Sequence, residues 1–382
     1  MTSAGLRVDA RLPNLWFRAA HRLCVILAAF VHVIVRRGAG SRRGGPEGRR
    51  PPMLCVEGGP AGWAIIELIE LATSAAEYLG EENVRRVVVP SRDVYLDTVR
   101  AAMQDGRPTH YLYDPRTGSQ HWLHAPWQAF RVGMLAAQHD VVPIGWLTDL
   151  PIRRWRLQVA IATAASGVTA TLMAAGQVAR MFPHRRLSGP VMMPLSESTL
   201  RTLEARRMMP RELRPARAIF TGSLYEPRTT ALFAIRDGLQ ARGLDLEILS
   251  RELGGPRVPN EVYWERLADA EIVVTTADQV FGDGIDETGL PHLIYRYTEA
   301  LAAGALLIAP PVPAIERYFT PGVHFVPFDG AENAVEVIAH YLVNETDRLR
   351  IATAGYQRVQ HLVRARMCWS SIDAALGTDA LV

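Results

Sequence analysis

Tyr295-Arg296-Tyr297-Thr298-Glu299-Ala300-Leu301-Ala302-Ala303-Gly304, followed by Ala305-Leu306-Leu307-Ile308-Ala309-Pro310, decides how this chain is read. The first ten residues predict a short helix with small residues on one face and a glycine stop. Gly304 stands where a helix C-terminus takes a residue of positive φ. The run after it is too short for a helix and too apolar for a solvent edge, so it predicts a buried strand. One acid, Glu299, sits among alanines and leucines beside Arg296. A carboxylate in such surroundings needs a hydrogen-bonding partner.

Around this core the second half of the chain alternates strand and helix. Ala216–Ser223 predicts a strand running into a glycine turn, with Arg228 next and a helix to about Arg242. Strands are expected at Leu244–Leu249, Glu271–Thr275 and His324–Val326, with helices around Tyr263–Ala268 and after Ala331. The first half reads the same way. Met53–Glu57 is a short strand before Gly58-Gly59-Pro60-Ala61-Gly62 and a helical pattern to about Tyr78. Further strands are expected at Arg86–Val89, His110–Tyr113, Val141–Leu147 and Gly167–Leu172, with Val191–Pro194 closing the unit. Alternation of this kind implies parallel sheets, whose ligands gather at the carboxyl ends of strands.

Chain length agrees, since 382 residues are long for one core and fit two domains. The expected division is a basic arm and linker over 1–52, a first α/β domain over 53–205, a second over 206–362, and a terminal helix over 363–382 crossing back to the first. The hinge is expected within Ser196–Arg214. The closing segment Asp347–Leu376 reads as helix with a break around His361–Arg364, and Trp369 is placed to anchor it.

Two Gly-rich turns and one strand-end acid are the local candidates for chemistry. Gly58 and Gly59 would let a phosphate or sugar approach a helix N-terminus. Their spacing is not that of a dinucleotide fingerprint, and a tight turn without a ligand is an equal reading. Asp149, after the apolar strand ending in Trp146-Leu147, is a candidate base or acceptor-hydroxyl contact, with a turn cap as the equal alternative. His121, His124 and His139 match no metal spacing, and Asp283-Gly284-Ile285-Asp286-Glu287 is not a calcium loop. Cys24, Cys55 and Cys368 are scattered and suggest neither a disulfide framework nor zinc.

Charge is unevenly placed. Residues 1–53 hold ten arginines against Asp9 and Glu47, a net of +8 within a chain total of +3, so the remainder carries −5. A nucleic-acid surface over the folded body is therefore not expected. Leu23–Val35 is apolar apart from His32 and is bracketed by Arg18, Arg22, Arg36 and Arg37. Thirteen helical residues reach only ~20 Å, short of a ~30 Å hydrocarbon core. Residues 7–37 either lie in an anionic membrane interface or dock on protein. No lysine occurs anywhere, and all 42 basic side chains are arginine.

Strand-Gly-Ser with a following arginine, YWERLADAEIVV, YRYTEALAAGALLIAP, ERYFTPGVHFVPFDGAENAVEVIAHYL and IATAGYQRV together resemble the C-terminal half of GT-B glycosyltransferases. The nearest types are the spore-maturation glycosyltransferases and the retaining family-four group. The likeness covers about residues 216–376; before that it rests on topology and on PIGWLTDLP. It implies two Rossmann-like domains facing across a cleft, an α/β fold of GT-B type. Glu299 would accept hydrogen bonds from the ribose of a nucleotide sugar, with Thr298 beside it. Gly222 and Ser223 would lie at the diphosphate, and Arg228 and Arg296 would supply its charge, Arg228 also assisting the leaving group. Neither metal nor other cofactor is then required. The implied activity is retaining transfer of a hexose from a nucleotide sugar to a glycan, lipid-linked or small-molecule acceptor, in the cytoplasm or on the cytoplasmic membrane face. The rivals are a sugar-nucleotide 2-epimerase and a non-catalytic scaffold at the membrane. The family pattern has an acid where Pro291 stands, and its phosphate-binding lysine is replaced by arginine chemistry, which is not equivalent.

Overall fold

A computed structural model describes residues 53–58, 66–89, 93–106, 108–113, 124–147, 170–173, 186–188, 192–213, 217–250, 260–276 and 294–376, with helical positions between Leu23 and Val35. Two parallel sheets organise them. The first contains β1 (Met53–Gly58), β2 (Val84–Val88), β3 (His110–Tyr113), β4 (Val142–Leu147), β5 (Ala170–Met173) and β6 (Arg186–Ser188), in the order β2-β1-β3-β4-β5-β6. The second contains β7 (Ala218–Thr221), β8 (Glu247–Leu249), β9 (Ile272–Val274), β10 (Leu306–Ala309) and β11 (Val326–Pro327), in the order β11-β10-β9-β7-β8. Both orders reverse direction once, beside β1 in the first sheet and beside β7 in the second.

Helices cover the faces as the apolar spacing demands. In the first half these are α1 (Ile66–Leu79), α2 (Tyr95–Gly106) and α3 (His124–Gln138), and α4 (Glu197–Arg207) leads out of it. In the second half they are α5 (Arg228–Gln240), α6 (Asn260–Asp269), α7 (Tyr295–Ala302), α8 (Pro313–Glu316), α9 (Ala331–Val343), α10 (Glu345–Val363) and α11 (Ala365–Leu376). α1 buries Leu68, Leu71, Ala72, Ala75 and Ala76, one stripe of a 3.6-residue repeat. α2 and α3 close the opposite face around Leu54, Tyr111 and Val132, and α5 and α9 do the same for the second sheet around Phe220, Ile235 and Ile338. The largest cluster lies between, joining Trp146 and the α1 stripe to Trp264, Leu301, Val359 and Trp369 without interruption.

The decisive stretch folds as its sequence predicts. α7 ends in a Schellman arrangement, with Ala305 N–H donating to Ala300 O at 3.2 Å and Gly304 N–H to Leu301 O at 3.0 Å. Gly304 takes φ +75°, and β10 behind it is buried at every position.

The chain crosses between the sheets twice, and the crossings are bonded to each other. Leu195 N–H donates to Val363 O at 2.8 Å, and Arg364 Nη1 donates to Glu197 Oε2 at 2.7 Å. Arg364 is extended (φ −59°, ψ 137°), which ends α10 within the expected window and turns the chain into α11. There Trp369 is fully buried and its Nε1 donates to Ser74 Oγ on α1 at 2.9 Å, as its anchoring role requires.

Three local expectations differ. Val191–Pro194 is no strand in its described part, because its backbone feeds the crossing; only Leu195 makes a single bridge, to Arg364. β6 was not anticipated, being only three residues, Arg-Leu-Ser. The hinge segment is mostly helix α4, whose Ser196 cap accepts from Thr199 N–H at 3.1 Å. Its other first-turn N–H groups meet carboxylates of α1: Glu197 N and Ser198 N donate to Glu77, and Ser196 N donates to Glu70. At its far end Arg206 Nε donates to buried Asp269 at 2.6 Å on α6. α4 is thus fastened at its start to the first half and at its finish to the second.

Candidate active site

β7 and β9 are neighbours, yet the chain leaves β7 for β8 on the other side. The crevice at their carboxyl ends is the switch point of the sheet, where ligands of open α/β folds bind. Gly222 forms its lip with φ +148°, where a Cβ would lie 3.2 Å from Phe220 Cζ. Its N–H already donates to Leu249 O at 3.1 Å, so this glycine offers a ligand space rather than a donor. Ser223 follows, exposed.

Arg228, the first residue of α5, reaches across the crevice. Its Nε donates to Thr276 Oγ1 at 2.6 Å, Nη2 to Thr276 O at 3.4 Å and Nη1 to Ser223 O at 3.2 Å. The guanidinium also lies over the Tyr225 ring, 4.3 Å from its centroid. A guanidinium has five N–H donors in a fixed fork, so two remain for an anion.

The second cluster belongs to α7, which starts from the same edge of the sheet. Glu299 is 1% exposed. Its Oε2 accepts from Tyr263 OH on α6 at 2.7 Å and lies 3.0 Å from Arg296 Nη1. The Arg296 guanidinium sits 5.0 Å from the Tyr263 ring centroid. Glu299 Oε1 is buried and accepts from no group among the described residues. Burial pushes the Glu299 carboxyl up to about 7; Arg296 opposes this and nearby Glu70 adds to it. Thr298 turns its hydroxyl into its own helix, donating to Tyr295 O at 2.8 Å. Tyr295 OH in turn donates to Pro194 O at 3.3 Å, tying the start of α7 to the crossing.

Glu70 enters this region from α1. Its carboxylate accepts from Ser196 N at 2.8 Å and Thr199 Oγ1 at 2.7 Å, and burial raises its pKa against the pull of those donors. Two buried acids therefore face the junction, one fully partnered and one half partnered.

The structure thus gathers the sequence candidates into two groups on one edge, Gly222, Ser223 and Arg228 in one, Arg296, Thr298 and Glu299 in the other. Gly58 ends β1 at the carboxyl edge of the first sheet. Gly59, Asp149, Pro291, His121 and the Asp283–Glu287 run lie outside the described residues. Sequence reasoning missed Tyr263, Thr276 and Glu70, whose partners are 36, 48 and 126 positions away. Among the described residues no three His, Cys, Asp or Glu side chains are grouped to hold a metal ion.

Solved structures share this architecture. HepE from Anabaena, determined with UDP and glucose, matches with a TM-score of 0.55 and 10% identity over 86% of this chain and 99% of its own. Sucrose-phosphate synthase from Thermosynechococcus elongatus matches at 0.54 and 13% identity, covering 86% and 98% of the two chains. The fold is GT-B. A putative UDP-N-acetylglucosamine 2-epimerase from Listeria monocytogenes matches at 0.51 and 11% identity over 86% and 97%. Residues 232–368 match the glycosyl transferase-like family model, which takes in α7 with Arg296 and Glu299. The resemblance to group 1 glycosyltransferases holds on these findings. No curated protein matches the sequence.

Proposed function

We propose that this GT-B protein is a glycosyltransferase that takes a sugar from a nucleotide-sugar donor seated at the carboxyl edge of the second sheet. The observation that carries the reading is Glu299 Oε1, an acceptor buried in the glycosyl transferase-like segment with no partner among the described residues. Leaving half a carboxylate unbonded in a dry site is costly, and a ribose hydroxyl is the group that would relieve it. HepE was solved with UDP and glucose, which makes UDP the first nucleotide to try.

In this reading the two unused N–H groups of Arg228 take a diphosphate oxygen, and the space over Gly222 lets that group approach the backbone. Fixed positive charge there offsets the charge that develops on the leaving diphosphate, so departure needs no metal. Arg296 adds to the field while it steadies Glu299. The transferred sugar faces the first sheet; Gly58 and Gly59 are the turn that lets a phosphate or sugar approach the backbone, and Asp149 is the base or acceptor-hydroxyl contact. A retaining, hexose-transferring outcome rests on the family resemblance alone.

The acceptor is a glycan, a lipid-linked sugar or a small molecule. The arm favours a surface-bound one. Leu23, Ile26, Leu27, Phe30, Val33 and Ile34 are all exposed at helical spacing, between arginines in the sequence. No helix among the described residues is long and apolar enough to cross a membrane. Sedimentation with vesicles containing anionic lipid, with and without residues 1–37, tests this placement.

The Listeria match keeps a 2-epimerase as the second reading. Both are tested by thermal shift with UDP, GDP, dTDP and ADP and their common sugars, in wild type and Glu299→Ala. A ligand at ~100 times its Kd adds about 2.7 kcal/mol. Stabilisation of wild type alone supports the donor site, and sugar inversion without an acceptor identifies the epimerase. Silence across the panel with a folded protein refutes both and leaves the scaffold reading.

A further inference from the structure

We propose that Tyr263 is a positioning residue of the donor site: its hydroxyl and Arg296 hold one carboxylate oxygen of Glu299, leaving the other as a single, oriented acceptor for a ribose hydroxyl. This rests on the donor reading above. The Tyr263 hydroxyl donates to Oε2 at 2.7 Å and Arg296 Nη1 is paired in charge with the same oxygen at 3.0 Å, and neither reaches Oε1. The terminal torsion of a glutamate is broad, so without a directional bond the carboxylate plane swings and the free oxygen has no fixed direction. The Arg296 contact does not prevent this, because its Nη1 lies 3.0 Å from Oε2 as an ion pair without hydrogen-bond alignment. The Tyr263 O–H bond is directional, and its ring is itself fixed, beneath the Arg296 guanidinium on one side and edge-on to buried Trp264, 5.1 Å away between centroids.

The same bond sets which protonation state the ligand meets. Only the ionised acid offers two pure acceptors, and a donated hydrogen bond favours that form. The charged and titratable groups facing Glu299 are Arg296 and Tyr295 on its own helix, Tyr263 from α6 and Glu70 from α1. Burial and Glu70 favour the proton, while Arg296 and the Tyr263 hydroxyl favour its loss. Nucleotide affinity should therefore rise with pH through neutrality and level off above it. Removing the hydroxyl should lower the plateau and move the midpoint upward.

Calorimetric titration with UDP, GDP and ADP between pH 6 and 9, and with the 2′-deoxy form of whichever binds, tests this in wild type and Tyr263→Phe. Wild type should prefer the ribonucleotide at least about tenfold, as loss of a hydrogen bond to a charged group implies. In Tyr263→Phe that preference should fall below threefold and the pH midpoint should rise. Should Tyr263→Phe not fold, 3-fluorotyrosine at position 263, a stronger donor of the same shape, should lower the midpoint instead. Wild-type binding with an unchanged preference and midpoint in either variant overturns the positioning role and spares the donor site. Failure of wild type to bind any ribonucleotide overturns both.

Discussion

Replacing Glu299 by glutamine should remove a pH dependence of folding stability that this one residue confers. Burial raises the folded-state pKa from the ordinary 4.5 to about 7. In the unfolded chain the group returns to the ordinary value, so between 4.5 and 7 the folded state holds a proton that the unfolded state has released. Stability therefore falls as pH rises through that window. The contribution is fully present below the unfolded value and gone above the folded one. A pKa unit is worth about 1.4 kcal/mol, so the whole fall is about 3.5 kcal/mol. Glutamine keeps an acceptor for Tyr263 and cannot titrate. Urea unfolding of both proteins, followed by tryptophan fluorescence at pH 5, 6, 7 and 8, isolates the effect. Groups that do not interact with Glu299 cancel in the difference between the two curves. Wild type should lose about 2.5 kcal/mol relative to Glu299→Gln across this range, with the slope steepest below pH 7. Parallel curves would refute the claim that the carboxyl is desolvated as the geometry requires.

Four further changes probe the frame that holds the site. Trp369→Ala should cost about 3–5 kcal/mol in denaturant unfolding, from a cavity in the central cluster, and Ser74→Ala about 1–3 from an unpartnered indole N–H. Gly355→Ala should destabilise despite its better helix propensity, because the new Cβ would lie 2.5 Å from His324 O; overpacking of ~1–3 kcal/mol outweighs a gain of about 1, and a rise in Tm would contradict the close packing of α10. Arg206→Ala removes two hydrogen bonds to the buried Asp269 carboxylate and should cost about 1–3 kcal/mol, with hydrogen exchange rising first in α4 and α6.

What could be read in the sequence was local. Gly304 announced its positive φ, the apolar run behind it announced β10, and Trp369 was visible as a large apolar residue in a terminal helix. Alternating strands and helices fixed two parallel sheets without fixing strand order. α4 was legible in principle, with Ser196 at its cap, Glu197 in its first turn and Arg206 and Arg207 in its last. Its sparse apolar content masked it, because its stability comes from carboxylates of α1 and from Asp269 on α6. The site was half legible for the same reason. Glu299 stood out as an acid in an apolar segment, whereas Tyr263 and Glu70 acquire meaning only when folding brings distant helices together. No periodicity encodes a hydrogen bond between positions so far apart.

The return of α11 onto α1 has a consequence for how the protein is made. Residues 66–79 leave the ribosome almost three hundred residues before the helix that covers them. Until then the Ser74 hydroxyl and the apolar stripe around it lack their final partner, so the first sheet emerges early and is completed late. A fragment cut after α4 would keep all six strands of that sheet yet leave one face of α1 bare, and it should aggregate or recruit a chaperone. Supplying the α11 sequence in trans should rescue it, since the missing surface is one amphipathic helix.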